Sequence, residues 1–129
     1  MSLDVSPDLL EQARSGEVDD AAFLATVRTS LPYAYELVES LAGRLSANAA
    51  GYADNQVPPP SEAERGQLLR ALASDAIRGS LECHFGIRLA FQNCHRVAAF
   101  PPGDRNAAYQ EFISPRSQLL NQSPALRSC

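Results

Sequence analysis

Lysine is absent from these 129 residues, so all eleven basic side chains are arginine. That absence removes chemistry. No side-chain Schiff base can form, and no phosphate-loop lysine exists. Arginine without lysine is also what GC-rich coding produces. Basic residues are the minority charge, eleven against fifteen acidic, and the net charge of −4 argues against nucleic acid as the main partner. It argues equally against an anionic membrane. No apolar run approaches the ~20 residues needed to span a bilayer. Met1 to Arg14 carries Asp4, Asp8 and Glu11 and no apolar core, so it does not read as a secretory leader. Cysteine is scarce and odd in number: Cys83, Cys94 and Cys129. The expectation is free thiols in a reducing cytoplasm.

What is present is an ordinary balance, 45% hydrophobic and 20% charged, in a length that suits one domain spanning residues 1–129. Helix punctuation dominates the chain. Ser6-Pro7 places a capping hydroxyl before a first-turn proline, and Gly16 ends that helix. Asp19 or Asp20 opens the next. Phe23, Val27, Leu31, Ala34, Val38, Leu41 and Leu45 follow at intervals of three and four, which is one helical face. Pro32 inside that pattern predicts a kink or a split. Residues 47–60 have no period and end in three prolines, a surface loop. Ser61 and Glu64 then form a capping box, and Leu68, Leu72, Ala76 and Leu81 carry the buried stripe to Gly86.

Residues 87–100 allow two periods. Ile87, Leu89 and Phe91 alternate as a strand does, but the alternation fails after Gln92. At 100° per residue Val97, Ala90, Cys94, Ile87, Ala98 and Phe91 fall within an arc of about 120°, with Arg88, Gln92, His95 and Arg96 opposite. The helical period therefore predicts a helix here. A further short helix capped by Asp104 and a C-terminal segment, 114–129, restarted at Ser114-Pro115 and Ser123-Pro124, complete the expectation. The predicted fold is an all-α, single-domain bundle of five or six helices, one kinked at Pro32.

Candidate chemistry thins out on inspection. Cys83-His84 and Cys94-His95 have the ligand types for zinc. Eleven residues of helix separate the pairs by ~16 Å, too far for one ion. Cys94 and His95 differ by 100° around a helix and cannot act as a thiolate–base pair. Glu39 and Glu82 lack the histidine three residues on that a di-iron bundle needs, and Glu36 and Glu39 read as a solvated face. The "SLECHFGIRL" stretch is similar to the end of an acyl-carrier helix, but Ser74-Asp75 has the attachment order reversed and lies mid-helix. Asp75 with Arg78 reads instead as a surface ion pair. No metal or cofactor is expected. The eleven arginines are spread rather than clustered, which places nucleic acid low among partners.

The stretches "LRALASDAIRG", "HFGIRLAFQNCHRV" and "LLNQSP" resemble a small actinobacterial (Streptomyces-type) protein family of about this length. The resemblance covers nearly the whole chain and implies a cytoplasmic protein. It brings no activity, cofactor or catalytic residue with it.

The residues themselves point to a non-enzymatic module that binds a protein partner or pairs with itself as a homodimer. The alternative is a small-molecule site between helices, in a binding protein or an accessory enzyme of specialised metabolism, with Tyr33, Tyr35, Tyr52 and Tyr109 as possible lining. Arg88, Gln92, His95 and Arg96 are the candidate site residues, a cationic stripe suited to a carboxylate or phosphate of a ligand or partner. The competing view of the same stripe is a solvated face salt-linked to neighbouring helices.

Overall fold

Ser6, Asp19, Ser61, Ser74, Asn106 and Ser114 each accept a hydrogen bond from a backbone amide three residues on, and each begins a helix. This local chemistry sets the rhythm of the fold. The computed structural model describes residues 2–47, 51–103 and 106–121. Within them lie α1 (Pro7–Ser15), α2 (Asp20–Ser30), α3 (Pro32–Ala47), β1 (Ala53–Asp54), α4 (Glu62–Leu72) and α5 (Asp75–Phe85). The chain continues through β2 (Arg88–Gln92), β3 (Arg96–Phe100), α6 (Ala107–Phe112) and α7 (Pro115–Leu120).

The fold is mixed α/β, and the all-α expectation is wrong. Residues 88–100 form an antiparallel hairpin, with Arg88 opposite Phe100, Ala90 opposite Ala98 and Gln92 opposite Arg96. The alternation of Ile87, Leu89 and Phe91 was the true period. It fails after Gln92 because a turn intervenes, with Asn93 and Cys94 at φ 54° and 47°. Asparagine adopts that left-handed conformation readily, but Asn-Cys lacks the glycine that marks a tight hairpin in sequence. β1 lies inside the segment read as a surface loop. It pairs with β3 through Ala53–Ala99 and Asp54–Ala98, giving a three-stranded sheet of order β1-β3-β2.

Two predicted long helices are each two helices. Pro32 splits the first: α2 ends at Ser30 and α3 starts on the proline, where no amide is needed. With Leu31 in the capping position, α3 is capped from outside. Gln67 Oε1 on α4 accepts from the amides of Tyr33 and Ala34 at 2.8 and 3.2 Å. The second breaks at Ala73, where Ser74 caps α5. The sixth helix is capped by Asn106; Asp104, Ser123 and Pro124 lie outside the described residues.

Strand alternation divides the core. Leu89, Phe91, Val97 and Ala99 face the large helical layer, where Val27, Leu31, Ala34, Val38 and Leu41 are buried as the helical spacing predicts, beside Leu68, Leu72 and Leu81. Ala90, Ala98 and Phe100 face the other way and pack under Tyr109 and Phe112 of α6. Phe100 is the hub of that smaller cluster, with ring centroids of Tyr52, Tyr109 and Phe112 at 5.8, 5.3 and 5.7 Å. Helices thus cover both faces of the sheet. None of those described is long and apolar enough to cross a membrane.

Candidate functional site

Because residues 88–100 are a hairpin, Arg88, Gln92, His95 and Arg96 do not form a helix face. On a strand Arg88 and Gln92 share a side of the sheet with Arg96, and this side is covered by α6 and α7. Gln92 is buried, and its Nε2 donates to the Phe112 carbonyl at 2.9 Å and to Ser117 Oγ at 3.1 Å. Its task there is to fasten α6 and α7 to the sheet. Arg88 lays its guanidinium 3.6 Å from the centre of the Tyr109 ring and donates to the Gly103 carbonyl. This stacking is a cation–π contact.

Arg96 and His95 belong to a different cluster. The Arg96 guanidinium pairs with Asp54, whose side chain is 7% exposed. Gln56 donates to the other Asp54 oxygen at 2.7 Å, and Arg44 reaches the Asp54 carbonyl at 2.6 Å. Asn55 works from both ends of its amide. It donates to the His95 carbonyl at 2.7 Å and accepts from the Val97 amide at 2.8 Å. The His95 ring lies against the Asn93 carbonyl through Nδ1. A cavity of about 380 Å³ opens beside these groups, lined by Tyr52, Asp54, Asn55, His95, Arg96 and Asn121 among others. The structure thus brings together His95 and Arg96, sets Arg88 apart on Tyr109, and makes Gln92 internal. Asp54 and Asn55 were missed in the sequence because the loop around them has no period.

A larger cavity lies elsewhere, between α2 and α5, with about 750 Å³ of space. Val18, Ala21, Phe23 and Leu24 form one wall. Ala76, Gly79, Ser80 and Cys83 form the other, four small side chains at helical spacing, with His84 at the end. Cys83 is a free, exposed thiol on this wall. Cys94, by contrast, is disulfide-bonded, so the expectation of free thiols throughout is wrong for it. Among the described residues no group of three or more His, Cys, Asp or Glu side chains is placed to hold a metal ion. One titration stands out near α3: burial, and then the Glu64 carboxylate, raise the Tyr33 phenol above its ordinary value.

The sequence matches a family model described as "NucS shadow ORF" over residues 1–129. The chain belongs to that small family. No curated protein and no solved structure matches the chain. The family description concerns a reading frame and assigns no activity.

Proposed function

We propose that this chain is a non-enzymatic binding module that holds the apolar side of a partner protein's helix in the groove between α2 and α5. The groove itself carries the reading. Its lining is mostly apolar, and the small side chains of α5 let another backbone come close. Catalysis finds less support. Asp54 and Arg96 are committed to each other, Gln92 to the interior, and the His84 ring packs edge-on against Phe85 at 4.7 Å.

Nucleic acid is left out of the proposal on charge: eleven basic side chains stand against fifteen acidic ones, a net charge of −4.

A second reading, an anionic small molecule, is favoured by one observation: His95 and Arg96 share the 380 Å³ cavity with Asn55 and Asn121. One experiment weighs the two. A photo-crosslinker attached to Cys83, in cells that make the chain, should give a protein adduct that disappears in Gly79→Glu. No carbon added at Gly79 meets any atom within 4 Å, so this substitution fills the groove without breaking the helix. A small-molecule adduct, or a protein adduct indifferent to Gly79→Glu, would sink the helix-partner reading.

A further inference from the structure

Among the described residues the order β1-β3-β2 leaves β2 as an outer strand of five residues. Pairing decides which of its backbone groups face out. The Asn55 amide donates to the Val97 carbonyl, so Val97 and, by alternation, Ala99 bond toward β1. Arg96, Ala98 and Phe100 then bond toward β2, through Gln92, Ala90 and Arg88. Leu89 and Phe91 are left with their amides and carbonyls directed outward. One of those groups is already engaged: the Leu89 amide donates to Glu82 Oε2 at 2.8 Å. A cleft of about 520 Å³ runs along this edge, bordered by Arg78, Glu82, Phe91, Tyr109 and Ile113.

We propose that this edge adds the β2 strand of a second copy of the chain, antiparallel, and that Glu82 is the stopper that must leave first. Self-complementarity singles out a second copy. A two-fold axis through Ala90 uses the whole strand and sets Leu89 opposite Phe91 of the other copy. The outward groups of each strand then meet as hydrogen-bonded pairs. Ala90, a small side chain, meets its own copy at the axis, and Arg88 falls opposite Gln92, so no like charges oppose each other. An exposed edge invites strand pairing unless something blunts it. Glu82, reaching across from α5 to the Leu89 amide, is what blunts it here.

Sedimentation of the full chain tests this. Glu82→Ala should lower the dimer dissociation constant at least tenfold relative to the wild type. Adding Phe91→Pro, which removes an outward amide on an edge where proline is tolerated, should return that variant to a monomer. Circular dichroism checks that both remain folded. Should the proline unfold the chain, exchange of the Leu89 and Phe91 amides in Glu82→Ala decides the matter. Protection that rises with protein concentration supports the edge, and concentration-independent exchange overturns it. A Glu82→Ala protein that stays monomeric at millimolar concentration, or a dimer that survives the folded proline variant, also overturns it.

Discussion

Asp54 and Arg96 tie the shortest strand of the sheet to the hairpin: one carboxylate oxygen accepts from Arg96 Nη2 at 2.5 Å and from Nε at 3.2 Å. Removing the arginine leaves a buried carboxylate with Gln56 as its remaining side-chain donor among the described residues. Breaking a fully buried pair costs about 3–5 kcal/mol, and the partial exposure of Arg96 reduces that to roughly 2–3 kcal/mol. Arg96→Ala should lower urea-unfolding stability by that amount. Asp54→Asn, which leaves the charge where water reaches it, should cost less. An Arg96→Ala loss near zero would make the pair a surface link only.

Gln67 replaces the cap that Leu31 cannot supply to α3. Gln67→Ala strands the amides of Tyr33 and Ala34 and should cost about 1–2 kcal/mol in the same measurement. The local prediction is sharper still. Amide exchange should quicken in the first turn of α3 and not in α5.

Tyr33 gives a pH dependence with a definite sign. Its native phenol holds its proton to a higher pH than the unfolded one, because burial and Glu64 disfavour the phenolate. Below the unfolded value both states are protonated and nothing is lost. As pH rises through the window between the unfolded and the raised native value, the unfolded state alone ionises, and stability falls. Tyr33→Phe should flatten that alkaline decline, read as unfolding midpoint against pH. An unchanged slope would remove Tyr33 as its source.

Much of the helical layer was legible in the sequence, because caps and spacing are local. Ser6, Asp19, Ser61 and Ser114 cap as their types require, the buried stripe from Val27 to Leu41 follows from spacing alone, and the Asp75–Arg78 pair forms. The sheet was not legible. Its central strand, Arg96–Phe100, is buried on both faces and carries no alternation to read. One edge, Ala53–Asp54, is two residues long, and only pairing with Ala98 and Ala99, far along the chain, makes it a strand. The error on the hairpin moved the four polar residues onto a face that does not exist. The α2–α5 groove escaped notice for another reason: it is a property of two helices packed side by side, and Gly79 and Ala76 carry no signal singly.

A family described by its reading frame makes the protein itself worth detecting. With no lysine, trypsin cuts only at arginine, and residues 79–88, GSLECHFGIR, should appear as one peptide in a digest of cells carrying the frame. Its consistent absence, in cells whose transcript for the frame is abundant, would remove the module from the cell's working proteins.

The groove claim meets its most direct test at Cys83, the free thiol on the α5 wall. The rate at which a small maleimide labels Cys83 is measured on the purified chain and again in native extract of cells that make it. An occupied groove should slow labelling in the extract at least tenfold for the wild type. Gly79→Glu should label at one rate in both settings and, having gained helix propensity, unfold no earlier. Equal rates for the wild type in extract and in isolation would contradict the account.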